Sequence, residues 1–288
     1  MKTRILTAIV MALVGVPVLI FSGTPVYPVV AALVSVCCVW EMLRCVGVHK
    51  KLFVAIPAYL LAAVLPLFAY DAFFPLYSGL FSDVHHISYF VIMAMVLFVF
   101  LTYMTFVGVF SRGETTIVDI SQAFMAVIYI VVSFTSLVLI RYMPVGNYLF
   151  LLVFICAWVC DASAYFVGSL IGKHKLIPSI SPKKTVEGAI GGVLFTIIGA
   201  IVSGVIIEAV DPTITANYLA LGFIGLVLSV VAQVGDLWAS LIKRHYGVKD
   251  FSNLLPGHGG LFDRFDSVLA VCTVLMVICS FISPFTAA

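Results

Sequence analysis

The chain has 288 residues, 63% of them hydrophobic and 10% charged, and its mean hydropathy is +1.23. Soluble domains are about half apolar and about a quarter charged, so this composition excludes a water-soluble globule and requires an integral membrane protein. A formal net charge of +2 is too small to point to nucleic acid, and no nucleic-acid partner is expected.

A bilayer crossing takes about 20 apolar residues. Runs of that kind cover Ile5–Phe21, Val26–Leu43, Leu52–Tyr70, Ser88–Phe110, Ile117–Ile140, Asn147–Ile171, Gly188–Val210, Asn217–Ile242 and Arg264–Ile282, which predicts nine transmembrane helices. The expected fold is therefore an all-α polytopic integral membrane protein. Residues 1–288 are expected to form one membrane domain, with little motif content in 1–146 and the catalytic helices and loops in 147–288. Lys2 and Arg4 ahead of the first run fit a signal peptide, but only Gly23-Thr-Pro-Val-Tyr-Pro follows it, with no small-x-small cleavage site. The first helix is accordingly expected to be retained.

Cationic residues sort by side across these runs. Lys2, Arg4, Arg44, Lys50, Lys51, Arg112, Lys173, Lys175, Lys183, Lys184, Lys243, Arg244, Lys249 and Arg264 fall on one side and Arg141 alone on the other, fourteen against one. The positive-inside rule then places the N-terminus in the cytoplasm and the C-terminus outside. The outer loop Asp71–His86, rich in Phe, Leu and Tyr, reads as an interfacial segment. The seven cysteines lie in or beside apolar spans without CxxC spacing or a nearby histidine, so core packing is expected of them rather than zinc or disulfides.

An ionised group inside a bilayer costs at least ~2.5–3.5 kcal/mol on insertion scales, so each one asks for a partner or a purpose. Asp161 lies in the sixth run, Asp236 in the eighth, and Asp263 and Asp266 open the ninth. Asp236, Ser240 and Lys243 fall four and three residues apart, one stripe of a helix, and Asp263 and Asp266 share a face by the same rule. At 1.5 Å per residue, Asp236 lies roughly 10 Å below Lys243, so water must enter from the cytoplasmic side. Converging carboxylates repel one another unless a cation sits among them. Hard oxygen ligands select Mg²⁺ or Mn²⁺ over Zn²⁺. The competing readings are a helix cap for Asp263, and a proton relay or a lysine ion pair for Asp161 and Asp236. Glu41, three residues before Arg44, is expected to form an ion pair with it or to snorkel.

Two cytoplasmic loops are long and polar enough for chemistry, 172–187 and 244–262. In the first, Lys183 and Lys184 can meet phosphate as point charges, while Ser181 or Thr185 is expected to cap the next helix with Glu187 in its first turn. In the second, Gly257, Gly259 and Gly260 surround His258 just before a helix, where backbone N–H groups and the helix dipole favour an anion. Lys243, Arg244, Lys249 and Arg264 add cationic donors. Ser240 has no adjacent histidine on its stripe and reads as a metal or phosphate ligand. Together these groups describe a site for phosphoryl or nucleotidyl transfer, which needs cations, metal and rigid donors but no covalent nucleophile.

The second loop runs as Ser240, two residues, Lys243-Arg244, four residues, Lys249-Asp250, then Leu255-Pro-Gly-His-Gly-Gly260 and Asp263-Arg264-Phe265-Asp266. Over that length it resembles the signature of the phosphatidate cytidylyltransferases, the CDP-diacylglycerol synthases. Ser181-Pro-Lys-Lys-Thr-Val-Glu-Gly188 and Asp161 with Tyr165 are similar to the same family. Two positions depart from it: Ala239 stands where a glutamate is common, and Ser169 where a basic residue is common. The resemblance implies CTP and phosphatidate as substrates, CDP-diacylglycerol and pyrophosphate as products, and Mg²⁺ with a second cation such as K⁺ as cofactors. It implies Asp161, Asp236, Asp263 and Asp266 at the metal. Lys183, Lys184, Lys243, Arg244, His258 and Arg264 would then bind CTP or lipid phosphate. A homodimer, and a bacterial cytoplasmic (inner) membrane location with the site facing the cytoplasm, are further expectations of that family.

Two other readings compete. A CTP-dependent kinase acting on a polyprenol or diacylglycerol would release CDP rather than pyrophosphate. A cation-coupled transporter would use Asp161 and Asp236 as a relay, but the sequence lacks the two related halves with interrupted helices that such proteins show.

Overall fold

The computed structural model describes residues 2–70 and 85–287. Among them are nine helices: α1 (Lys2–Ile20), α2 (Val26–Cys45), α3 (Leu52–Phe68), α4 (His85–Phe110), α5 (Ile117–Tyr142), α6 (Gly146–Ile171), α7 (Val186–Val210), α8 (Tyr218–His245) and α9 (Phe262–Cys279). Each coincides with one of the nine apolar runs. Most of the segment Asp71–His86, read above as interfacial, lies outside the described residues.

Six helices are long and apolar enough to cross a membrane: α2, α4, α5, α6, α7 and α8. α3 and α9 fall outside that set for identifiable reasons. α3 has 17 residues with Pro57 and Pro66 inside it. α9 spends Asp263, Arg264 and Asp266 in its first turns. Large apolar side chains face outward, with Phe98 69%, Leu170 81% and Leu219 88% exposed. Water would disfavour such a surface by about 25 cal/mol per Å², and lipid does not.

Local chemistry sets the helix ends. Gly47, with φ +82°, turns the chain out of α2. Thr116 and Asp119 form a reciprocal capping box at the start of α5, where the Asp119 carboxylate also holds the Lys51 ammonium. Thr185 caps α7 by accepting from Gly188 N at 3.1 Å, as expected, and Asn217 caps α8. α5 contains one π-helical turn, Val127–Val131.

The all-α expectation needs one correction. Among the described residues, two antiparallel two-stranded sheets are present, β1 (Lys175–Ile177) with β2 (Ser181–Thr185), and β3 (Ile214–Ala216) with β4 (Phe285–Ala287). Pro178 and Ser179 between β1 and β2 favour a turn, so the loop expected at 172–187 folds back as a hairpin. The ninth helix also ends at Cys279 instead of Ile282, and Pro284 precedes β4.

The chain divides into two compact units, one of residues 1–139 and 248–264, the other of residues 140–247 and 265–288. The first packs α2 on α3 and α5 through buried Val39, Met42, Ala55, Ala58, Ala123 and Val127. In the second, α6, α7 and α8 pack on one another around Val153, Cys156, Cys160, Ala200, Leu228 and Ala232. None of the seven cysteines forms a disulfide among the described residues. Small residues bring α6 and α7 close, because a Cβ on Gly188 would lie 2.6 Å from the Ala164 carbonyl oxygen and 3.1 Å from Gly168 Cα. Gly188→Val is therefore expected to lower the thermal unfolding midpoint in detergent, with overpacking costing about 1–3 kcal/mol. An unchanged midpoint would show that the two helices can separate freely.

Candidate active site

The second unit gathers its charges on α6, α8, α9 and the β1–β2 hairpin. Lys184, on β2, sets its Nζ 2.6 Å from Asp236 Oδ2 on α8, and both side chains are about a quarter to a third exposed. The lysine pair named as the competing reading for Asp236 is thus formed. Ser240 Oγ lies 3.5 Å from Asp236 Oδ1, one turn along the helical stripe. On α6, Asp161 Oδ2 accepts from Ser267 Oγ at 2.9 Å, and the charges of Asp236 and Lys184 act on it. Asp266 is 9% exposed and lies in the field of Asp236, Lys243 and Asp161. Three carboxylates and two ammonium groups thus share one polar patch between apolar helices.

The hairpin is fixed to its neighbours by side chains. Arg244 Nε donates to the Ile180 carbonyl at 3.3 Å, which joins α8 to the turn before β2. Glu187, in the first turn of α7, accepts from Lys173 N and His174 N and sits 2.6 Å from His174 Nδ1. Lys183 remains exposed, and Ser181 begins β2 without capping the helix. Ala239 is buried in α8, and Ser169 Oγ turns back to the Phe166 carbonyl, so neither supplies a charge to the patch.

The first unit contains the glycine-rich segment and shows why its helices matter. Gly257 (φ +79°) and Gly259 (φ +85°) take left-handed backbone conformations that reverse the chain. Leu255 N donates to Gly259 O and His258 N to Leu255 O, both at 2.9 Å, which closes a tight loop. Thr7 of α1 donates to the Pro256 carbonyl at 2.8 Å. Phe262 meets Phe251 and Tyr129 edge-on, with ring centroids 4.6 and 6.2 Å apart. Arg264, expected at a phosphate, donates to the His258 carbonyl at 2.6 Å. His258 Nδ1 is shut off from the surface and has no hydrogen bond among the described residues. Beside the segment lies a cavity of about 680 Å³ lined by Lys249, Asn253, Trp40 and Arg44, whose guanidinium stands 5.2 Å over the Trp40 ring.

Two carboxylates occupy the loop's backbone donors. Asp263 Oδ2 accepts from Phe251 N at 2.9 Å and Gly260 N at 3.0 Å. Glu41 accepts from Leu261 N at 2.9 Å, Phe262 N at 2.7 Å and the Ser252 hydroxyl. The sequence reading therefore changes at two points. The donors at the start of α9, expected to receive an anionic ligand, are taken by the protein's own carboxylates. Glu41 neither snorkels nor pairs with Arg44, because it is fully buried and held by the loop. Its signal was present in the sequence: a carboxylate near the end of an apolar run carries the same insertion cost that singled out Asp161 and Asp236.

The donor chemistry suits a hard cation. Among the described residues no three His, Cys, Asp or Glu side chains converge as a ready-made metal cage, and Asp263 belongs to the first unit while Asp161, Asp236 and Asp266 belong to the second. Mg²⁺ is commonly held by one or two carboxylates, with substrate phosphates and water completing its shell, so the all-oxygen set in the second unit fits it.

Comparison with known proteins agrees with this chemistry. A family model described as "Cytidylyltransferase family" matches residues 2–282. The chain is similar to the phosphatidate cytidylyltransferase of Staphylococcus haemolyticus (strain JCSC1435), with 34% identity over 278 residues, 96% of this chain and 98% of the relative. It is similar to that of Staphylococcus epidermidis (strain ATCC 12228 / FDA PCI 1200), with 33% identity over 280 residues and the same coverages. The phosphatidate cytidylyltransferase of Staphylococcus aureus (strain COL) is 34% identical over 278 residues, again 96% and 98% of the two chains.

Proposed function

The chain belongs to the cytidylyltransferase family, and on that premise we propose that it transfers CMP from CTP to phosphatidate, giving CDP-diacylglycerol and pyrophosphate. The observation that carries the reading is the polar patch of Asp161, Asp236 and Asp266 with Lys184 and Lys243 among apolar helices. A water-soluble nucleotide and a lipid headgroup meet only where such a patch opens at a membrane surface. The fourteen-to-one sorting of cations across the nine apolar runs supports a cytoplasmic opening and an odd number of crossings, and nine crossings in an inner membrane belong to the same proposal.

In the reaction, a phosphatidate phosphate oxygen attacks the α-phosphorus of CTP. A new P–O bond forms as the bond from the α-phosphorus to the bridging oxygen breaks, and that oxygen's electron pair leaves with pyrophosphate. Lys184 and Lys243 counter the negative charge of the incoming phosphates. Lys183 and Arg244 widen that cationic field in the second unit, and in the first unit Lys249, His258 and Arg264 on the glycine-rich segment would meet phosphate. Asp236, together with Asp161 and Asp266, would hold Mg²⁺ or Mn²⁺, and Asp263 would contribute through the loop it anchors. Bound there, the ion would neutralise charge on the transferring phosphoryl group. K⁺ as a second cation and a homodimer belong to the same proposal.

Purified protein given α-labelled CTP and phosphatidate is expected to form labelled CDP-diacylglycerol and unlabelled pyrophosphate. Chelation of divalent cations is expected to stop turnover, and Mg²⁺ to restore it. Release of labelled CDP would instead indicate a lipid kinase. Full turnover in chelator would sink the metal assignment.

A further inference from the structure

We propose that Glu41, on a helix that contributes nothing to the signature motif, is a positioning residue for the loop that handles CTP. The proposal rests on the cytidylyltransfer reading above and adds a residue to it.

Four observations converge. Glu41 is fully buried near the end of α2, although a carboxylate in an apolar helix is costly. Every hydrogen-bond partner it has among the described residues is a donor: Oε1 takes Leu261 N–H at 2.9 Å and the Ser252 hydroxyl, and Oε2 takes Phe262 N–H at 2.7 Å. Those amides belong to the start of α9, whose first N–H groups have no acceptor within the helix and whose positive end favours an anion. The loop has also given up side-chain volume to admit the carboxylate, because a Cβ on Gly260 would lie 2.8 Å from both Glu41 oxygens. Ser252 completes the joint by accepting from Leu254 N at 3.0 Å while it donates to Glu41.

The loop is thereby clamped at both ends by one side chain. Ser252 lies on the early limb, beside Lys249 and the 680 Å³ cavity, and Leu261 and Phe262 close the late limb beyond His258. Glu41 need not touch substrate to matter. It fixes the distance between limbs whose cationic groups must meet phosphate together.

The acceptor-only character of the site makes an isosteric test informative. A glutamine at this position presents one NH₂ where two acceptors are needed, so either amide orientation sets a donor against the N–H of Leu261 or Phe262. Full-length protein carrying Glu41→Gln is expected to lose about 10–100-fold in kcat/KM for CTP per folded molecule, the range typical of supporting shells, with KM for phosphatidate unmoved. Ser252→Ala, which leaves both N–H bonds in place, is expected to show a smaller loss in the same parameter. Hydrogen exchange of the peptide spanning 252–262 is expected to speed up in Glu41→Gln. Wild-type kcat/KM for CTP in Glu41→Gln would overturn the proposal, as would equal losses for both substrates or unchanged exchange of that peptide. If Glu41→Gln fails to fold, Ser252→Ala decides: a loss confined to CTP supports the proposal and no such loss overturns it. A wild-type protein that transfers no CMP would overturn the function proposed above, and the exchange measurement would still decide the role of Glu41.

Discussion

Asp236→Asn is expected to lower CTP-dependent transfer by about 10²–10³-fold, the usual cost of removing one preorganised charge from a transfer site. The amide keeps the size and one acceptor of the carboxylate, so packing of α8 is preserved. What disappears is the negative charge facing Lys184 Nζ at 2.6 Å. Both side chains retain partial contact with solvent, 25% for Lys184 and 30% for Asp236, so the pair contributes little to stability, about 1 kcal/mol or less. A large loss of rate with a small shift in unfolding midpoint is therefore the expected combination. A charge exchange sharpens the test. If the pair only joins the hairpin to α8, Lys184→Asp combined with Asp236→Lys restores activity. If the carboxylate has to face metal and phosphates from α8, the exchanged protein folds and stays inactive. Recovery of activity in the exchanged protein would reduce Asp236 to a structural role.

How far the site could be read from sequence depended on how far apart its parts lie along the chain. Asp236, Ser240 and Lys243 were readable as one stripe because helical periodicity alone relates them. The partner of Asp236 was not, because Lys184 reaches it from a short strand whose pairing no helical period announces, and strand propensity is weak without its context. The nine apolar runs were readable because lipid demands long uninterrupted hydrophobicity, and each became a helix. The contribution of the early helices was hidden for a different reason. Glu41 and Ser252 are 211 residues apart, and only tertiary folding places the buried carboxylate of α2 under a loop that the sequence presents as self-contained. The glycines read as a device for the close approach of an anion. At Gly260, however, what approaches is the protein's own Glu41, where an incoming phosphate was expected.

Asp263→Asn is expected to abolish transfer while leaving the loop folded, and the reason lies in how its bonds are distributed. Both backbone donors, Phe251 N at 2.9 Å and Gly260 N at 3.0 Å, converge on the single oxygen Oδ2. An asparagine carbonyl placed there can accept both, so these two backbone bonds survive while the charge is lost. This is the opposite of Glu41, whose donors are divided between two oxygens and defeat an amide in either orientation. Asp263→Ala removes the acceptor as well and leaves two loop N–H groups unsatisfied, at about 1–3 kcal/mol for each that stays buried. The pair of variants therefore separates charge from scaffold. If negative charge at this position serves the reaction, Asp263→Asn is inactive at a near-native unfolding midpoint, and Asp263→Ala is inactive and less stable. If Asp263 only holds the loop, Asp263→Asn keeps full Mg²⁺-dependent activity and Asp263→Ala alone fails. In that case the cation would be left to Asp161, Asp236 and Asp266 of the second unit, and the signature aspartate at the start of α9 would act on the reaction only through the shape of the loop.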